Sequence, residues 1–127
     1  MNKLLLFFSI ITITFSFTSA GAQTDITSVK TAQSYISNKD WTKAIDAYKI
    51  LIGKDKYNGA FLTNLASAYY NNKNYPEAIK TYEAAIKLGF QSDVSAYNIA
   101  CSYALTGEVE NAVKWLKAAA LLTRVRS

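Results

Sequence analysis

The amino-acid sequence predicts an all-α protein, an α-solenoid of three stacked helix hairpins. The first observation is a repeat, because three segments of 34 residues align without gaps. The second is the spacing of apolar residues within each segment, which follows the period of a helix. The third is composition: the 127 residues include one proline and five glycines, too few for a protein built from many tight β-turns.

The repeat frames run over residues 25–58, 59–92 and 93–126. A period of this length is typical of helical repeat proteins, in which one supersecondary unit stacks on its neighbours. Five columns of the alignment hold the same or a similar residue in every frame: Ala44, Ala78 and Ala112; Tyr35, Tyr69 and Tyr103; Ala32, Ala66 and Ala100; Ile45, Ile79 and Val113; Tyr48, Tyr82 and Leu116.

Each frame is predicted to form two amphipathic helices. In the middle frame the apolar residues that show the helical period are Leu62, Leu65, Ala66 and Tyr69, followed by Ala78, Ile79, Tyr82, Ala85 and Ile86. Polar segments at 37–40, 71–74 and 106–108 separate the two helices, and their Asp, Asn and Glu residues suit the start of the second helix. Pro76 falls in a first helical turn, where its missing N–H costs nothing.

These columns resemble the tetratricopeptide repeat family, whose 34-residue pattern combines small, aromatic and leucine positions. In the middle frame the family's signature positions are occupied by Leu62, Leu65, Ala66, Tyr69, Ala78, Tyr82 and Ala85, and in the third frame by Ile99, Ala100, Tyr103, Ala112, Leu116 and Ala119. The first frame departs from the pattern at Ser28, Thr31 and Leu51, and two further departures recur between frames. Lys56, Phe90 and Arg124 replace the closing proline, and Lys39 and Lys73 replace the glycine of the turn. The resemblance implies a right-handed superhelix of hairpins.

The first 22 residues have the pattern of a signal peptide. Lys3 is followed by an apolar run from Leu4 to Phe17 and by the small residues Ala20 and Ala22, which suit a signal peptidase. We expect cleavage before Gln23, or alternatively between Ala20 and Gly21, leaving residues 23–127 as the repeat domain. The alternative is a retained membrane anchor, because no charge occurs between Lys3 and Asp25. Five Ser and Thr residues in its second half make it a poor span.

Cleavage would give an exported protein with no stable membrane span, periplasmic or secreted in a Gram-negative bacterium. Cys101 is the one cysteine of the chain, so no internal disulfide can staple the fold. Cys101 is expected to be a small residue tolerated at a helix crossing, with a redox or cross-linking role as the minority hypothesis. Trp41 and Trp115 are expected to make core or inter-repeat contacts.

The charge pattern and residue types argue against two broad functions. The formal charge is +5, and the basic residues are scattered without an aromatic platform, unlike the surface of a nucleic-acid-binding protein. The chain has no histidine, and it shows no phosphate-binding loop and no cluster of metal ligands. We therefore expect a protein that is not an enzyme, with no cofactor, no bound metal and no nucleic acid.

The family resemblance implies that a protein or peptide partner binds in the concave groove lined by the first helix of each repeat. Carried over by position, the groove residues of the first repeat are Ile26, Val29, Gln33 and Ile36. Those of the second are Thr63, Asn64, Ser67, Tyr70 and Asn71, and those of the third are Val94, Tyr97, Asn98, Cys101 and Leu105. Asn64 and Asn98 are in register, and their amides either hold the backbone of an extended peptide or cap local backbone.

One subgroup of the family clamps a terminal carboxylate with basic groove residues. Here the corresponding positions hold Val29, Gln33, Val94 and Asn98, so this clamp is absent. The groove is expected to prefer an uncharged, partly apolar ligand. Tyr70 and Tyr97 are the candidate anchors, because tyrosine offers a large contact area at low entropic cost; Tyr69 and Tyr103 are assigned to the core.

The third hairpin is not followed by a polar helix in this sequence. Repeat stacks need polar terminal faces, so Leu116, Ala119, Ala120 and Leu122 are expected to be partly bare. Exposed apolar surface marks an interaction site. This predicts an alternative role, a self-associating structural subunit or homo-oligomer that uses the face of the last hairpin.

Overall fold

The computed structural model of the protein describes residues 20–127, with side chains from residue 28 onward. This part of the chain forms six α-helices and contains no strand: α1 (Ala20–Ser37), α2 (Trp41–Lys54), α3 (Gly59–Asn71), α4 (Tyr75–Lys87), α5 (Ser92–Leu105) and α6 (Val109–Arg126). The all-α prediction is therefore confirmed. The expected signal peptide lies largely outside the described residues, which begin at position 20.

The helices pair into three hairpins, α1 with α2, α3 with α4 and α5 with α6. Three residues separate the helices of every hairpin, and four residues separate one hairpin from the next. This regular spacing is the structural origin of the 34-residue period. Main contacts run only between helices that are neighbours in the chain, as expected for a stack of repeats.

Side-chain caps start several of these helices. The carboxylate of Asp40 accepts a hydrogen bond from the Lys43 N–H, and the amide oxygen of Asn74 accepts one from the Glu77 N–H. Both caps were expected from the turn residues. The expectation fails at Glu108, which occupies the N-cap position of α6 without a capping bond from its side chain. Its carboxylate instead accepts hydrogen bonds from Thr106 and Asn111.

The turns inside the hairpins share one backbone conformation. Lys39, Lys73 and Gly107 have φ values of 59°, 62° and 82°, and they stand 34 residues apart. This left-handed region suits glycine and is strained for residues with a Cβ. The structure thus demands the same turn in all three repeats, although two of them carry lysine.

The core consists of two clusters joined end to end. In the first, Ala32, Tyr48, Leu51 and Leu65 bring α1, α2 and α3 together. In the second, Ala66, Ala78, Tyr82 and Ile99 join α3, α4 and α5. Tyr69 packs against both, and Tyr103 and Trp115 pack against the second cluster, as expected. Trp41 is half-buried.

The outer side of α6 differs from the expected set of bare residues. Leu116 and Ala120 are exposed, whereas Ala119 is buried and Leu122 is half-buried. Ala119 belongs to the same column as the buried Ala85, which explains its position. The apolar residues that α6 exposes besides Leu116 are Val109, Val113, Leu121 and Val125. None of the helices described here is long and apolar enough to cross a membrane.

Candidate functional site

The candidate site lies on α3 and α5, the first helices of the second and third repeats. Helix α3 carries no Lys, Arg, Asp or Glu, and α5 carries one charged residue, Asp93. The Asp93 side chain is 8% exposed, and its carboxylate pairs with the Arg126 guanidinium at 2.9 Å. The two helices therefore present polar, apolar and aromatic groups with no unpaired formal charge from Lys, Arg, Asp or Glu.

Four of the predicted groove residues form part of one contiguous cluster. Tyr97 and Cys101 stand one helical turn apart on α5, so their side chains share a face. The thiol of Cys101 contacts the Tyr97 hydroxyl, and this contact raises the pKa of Tyr97. The pKa of Tyr70 is raised by burial first and then by Cys101, Tyr75 and Tyr97. Tyr70 on α3 therefore faces Cys101 and Tyr97 on α5.

Two tyrosines of α4 complete this cluster, and sequence analysis did not place either in the site. The rings of Tyr70 and Tyr75 meet edge to face, with centroids 5.6 Å apart. Tyr82 lies beneath them at 4% exposure, and burial raises its pKa to about 12. Ser67, a predicted groove residue, hydrogen-bonds with the Tyr82 hydroxyl, and this bond partly offsets the rise in pKa. We call the set Ser67, Tyr70, Tyr75, Tyr82, Tyr97 and Cys101 the tyrosine cluster.

One side of the tyrosine cluster is buried, and the other side is exposed to solvent. Tyr97 is 54% exposed, whereas Tyr70, Tyr75 and Cys101 are half-buried. Every tyrosine hydroxyl whose pKa is shifted in this cluster is shifted upward. These phenols therefore stay protonated at physiological pH. A protonated phenol can donate a hydrogen bond. The arrangement suits an uncharged ligand with apolar or carbonyl groups.

Asn64 and Asn98 flank this cluster and keep their side-chain amides available. Both residues are half-buried, and neither amide bonds to any other part of the described chain. The structure therefore does not place these two asparagines in local backbone caps. An amide with a free donor and a free acceptor can pair with a peptide backbone, so the alternative of peptide holding stays open for both.

The remaining predicted groove residues lie elsewhere or are engaged locally. Asn71 donates to the Ser67 carbonyl at 2.8 Å, and the Thr63 hydroxyl donates to the Ala60 carbonyl at 3.1 Å. Val94 is 45% exposed and lines, with Tyr97, a shallow cavity of about 380 Å³ against α6. In the first repeat Val29 and Ile36 pack against the first core cluster. The side chain of Ile26 lies outside the described residues, and Gln33 and Leu105 are exposed.

Comparison with family models explains the repeat. One model of the tetratricopeptide repeat matches residues 29–93, and a second matches residues 95–125. The chain belongs to the tetratricopeptide repeat family. The matched ranges cover all three hairpins of this tetratricopeptide repeat protein. A search of curated protein sequences found no match.

Solved structures show the same fold at low sequence identity. The CopN–Scc3 complex matches with a TM-score of 0.72 and 21% identity over 80% of this chain and 59% of that chain. The chaperone SycD of Yersinia enterocolitica type III secretion, in an alternative dimer, matches with a TM-score of 0.72 and 20% identity over 79% and 76%. The second repeat domain of Spaghetti (RPAP3) bound to an HSP90 peptide matches with a TM-score of 0.69 and 22% identity over 81% and 95%.

Proposed function

We propose that this tetratricopeptide repeat protein is a binding module that holds an extended, uncharged segment of a partner protein against the tyrosine cluster. The observation that carries the proposal is the juxtaposition of Tyr70, Tyr97 and Cys101 on two helices that expose no unpaired charge. Neighbours of this fold include a domain bound to a peptide, which supports a role in protein interaction.

The residue types on α3 and α5 indicate which class of ligand the tyrosine cluster would bind. The peptide in the Spaghetti (RPAP3) structure, SRMEEVD, is acidic at its C-terminal end. The tetratricopeptide repeat protein described here has no lysine or arginine on α3 or α5, so an acidic terminus would find no counter-charge there. Tyrosine rings instead provide large apolar contact area, and the free amides of Asn64 and Asn98 can pair with the ligand backbone.

The setting proposed for this interaction is the cell envelope. Its support is the signal-peptide pattern of residues 1–22, which would send the repeat domain to the periplasm of a Gram-negative bacterium or outside the cell. The role that we propose for the protein is that of a scaffold or adaptor within an envelope-associated assembly. Fractionation of the producing cell, followed by mass determination of the mature N-terminus, tests both export and the cleavage before Gln23.

Site-specific photocrosslinking in the producing cell tests the proposed binding face. A benzoylphenylalanine at position 97 should form an adduct with the partner, and mass spectrometry of the adduct identifies the bound segment. The matched control is the same probe at position 57. Tyr57 is 71% exposed and stands in the connector between α2 and α3, away from the tyrosine cluster.

Binding measurements with the identified segment then test whether the tyrosine cluster, rather than another part of the protein, determines the affinity. The Tyr70→Ala and Tyr97→Ala variants should each weaken binding by about tenfold or more, because buried aromatic anchors dominate such interfaces. The variant Tyr57→Ala should bind normally. Affinity should change little with ionic strength, since no ion pair forms. Equal adducts from positions 57 and 97, or a strongly salt-dependent affinity, would contradict the proposal.

A further inference from the structure

No unpaired carboxylate lies close to the tyrosine cluster in the part of the chain that the structure describes. Helices α3 and α5 contain no glutamate, and the Asp93 carboxylate of α5 is paired with Arg126. The glutamates of α4 do not act on the cluster either, because no carboxylate is among the groups that shift the pKa of Tyr70, Tyr82 or Tyr97. A ligand that donates hydrogen bonds therefore finds no carboxylate to accept them.

Other polar groups beside the cluster are already engaged within the fold. The backbone carbonyls of Ala68, Tyr69 and Tyr70, at the end of α3, accept hydrogen bonds from the turn that follows. The hydroxyl of Thr63 and the side-chain amide of Asn71 each donate to a carbonyl of α3. An extended ligand with many backbone N–H groups would leave many of them without partners when it displaces water, which is unfavourable.

The free polar groups of the site suit a ligand that presents carbonyl groups. The half-buried amides of Asn64 and Asn98 each supply two donor hydrogens. The phenol of Tyr70 is half-buried and protonated, so it adds another donor. A backbone that accepts hydrogen bonds but donates none matches this set. Proline is the residue whose backbone has a carbonyl and no N–H.

The apolar part of the site consists of tyrosine rings whose neighbours hold them in place. The Tyr97 hydroxyl contacts the Cys101 thiol, which orients its ring, and more than half of the Tyr97 side chain is exposed. The ring of Tyr70 stands at 72° to that of Tyr75, so neighbouring rings present a face and an edge. Aromatic grooves of this kind bind the compact apolar ring of proline.

A ligand that forms no ion pair with the cluster gains affinity from being ordered before it binds. Ordering a flexible segment costs conformational entropy at the moment of binding. The polyproline II helix is extended and has no internal hydrogen bonds, and proline already restricts the backbone of the free chain. Its carbonyl groups remain free to accept hydrogen bonds from the amides of Asn64 and Asn98.

We propose that the segment held by the tyrosine cluster is proline-rich and binds as a polyproline II helix. Its pyrrolidine rings lie on the rings of Tyr70 and Tyr97, and its carbonyl groups accept hydrogen bonds from Asn64 and Asn98. The segment then requires few of the acceptors that the site lacks. This inference rests on the proposed function and adds the chemistry of the partner segment.

Synthetic decamers with blocked ends test this chemistry by calorimetry. The protein is expressed from its whole sequence, so that the N-terminus left by the cell is the one studied. The probe is decaproline. One control is decaproline made of D-proline, which has the same composition and the opposite helical hand, and the other is an uncharged Gly-Ser decamer, which keeps its N–H groups. Decaproline should bind about tenfold or more tightly than either control.

Variants and NMR spectra test the location of the bound decaproline. Tyr97→Ala should weaken binding about tenfold or more, whereas Tyr97→Phe keeps the ring and should change the affinity by less than about threefold. Tyr57→Ala should bind normally, and circular dichroism verifies that each variant is folded. Decaproline should shift the side-chain amide signals of Asn64 and Asn98. It should not shift that of Asn111, which donates to Glu108 on the last hairpin.

The outcomes separate this inference from the proposed function. Decaproline that binds no more tightly than the controls, or whose affinity is the same for Tyr97→Ala, would overturn the inference. So would a photocrosslinked partner segment without proline, a result that leaves the proposed binding function intact. Equal adducts from positions 57 and 97 would instead contradict the proposed function, and the inference with it.

Discussion

Gly59 and Phe90 lie in direct contact at the two ends of the middle repeat, so close that a Cβ on Gly59 would overlap Cβ and Cγ of Phe90. Gly59 is the first residue of α3, and Phe90 stands in the connector between α4 and α5. The contact fills the place where the family pattern has a proline. The contact leaves no room for a side chain on the first residue of α3.

The variant Gly59→Ala is therefore expected to destabilise the protein by about 1 to 3 kcal/mol, the usual cost of overpacking. Denaturant unfolding measures this loss. In the background of Phe90→Gly the same substitution should cost much less, because both overlapping atoms, Cβ and Cγ of Phe90, are gone. Equal losses in the two backgrounds would show that the contact does not control this position.

The left-handed turn residues predict a stabilising change. Lys73 has φ 62°, a conformation that costs a residue with a Cβ about 1 kcal/mol or more. Lys73→Gly should raise the free energy of unfolding by about 1 kcal/mol, and Lys39→Gly should do the same. Lys80→Gly, in the middle of α4, is the matched control and should lower stability by about 1 kcal/mol. A loss of stability in Lys73→Gly would contradict the argument.

The buried alanine column should not accept larger residues. Ala78 is 0% exposed within the second core cluster, where a small side chain lets α3 and α4 approach closely. Ala78→Leu is expected to cost about 1 to 3 kcal/mol, as measured by thermal or denaturant unfolding. The same substitution at the exposed Ala104 of α5 should change stability by less than about 0.5 kcal/mol.

Alkaline pH should weaken the fold through Tyr82. Its pKa is about 12 in the folded protein and about 10 when unfolded. The unfolded chain therefore loses this proton first, and the stability present below pH 10 is lost as pH rises toward 12. The loss from this residue reaches about 2 to 3 kcal/mol. Tyr82→Phe removes the ionisable group, so its unfolding free energy should fall less over that interval, and equal slopes would disprove the assignment.

Sequence periodicity predicted the fold because the residues that pack between the helices of a hairpin recur at the same positions in each repeat. The columns of Ala44, Tyr48 and Ala32 identify the buried sides of the helices, and the structure buries their members in the first two repeats. In the third repeat Ala100 is buried, Ala112 is half-buried and Leu116 is exposed. The turn positions also follow from the period. The helical ends were less predictable, since Glu108 satisfies its carboxylate through Thr106 and Asn111 rather than through the helix N-terminus.

The site was predicted only in part, because position in a repeat does not determine side-chain contacts. Tyr70, Tyr97 and Cys101 were named from the family pattern, and the structure brings them together. Tyr75 was missed because it belongs to a second helix, and it reaches the cluster only through the ring of Tyr70. Asn71 lies at a predicted groove position, but its side-chain amide donates a hydrogen bond within its own helix. This bond competes with any bond to a ligand. The bare side of α6 was misassigned at Ala119, which belongs to the column of Ala85 and is buried like it.

The succession of contacts from each helix to the next has a kinetic consequence. Every main contact joins segments that are close in sequence, so the chain closes only short loops while it folds. Such a topology favours rapid folding that can begin in any hairpin. A hairpin leaving the ribosome could collapse before the next one is synthesised. The tyrosine cluster would then be complete only when α5 docks on α4, so the partner binding that we propose for it would come late in folding.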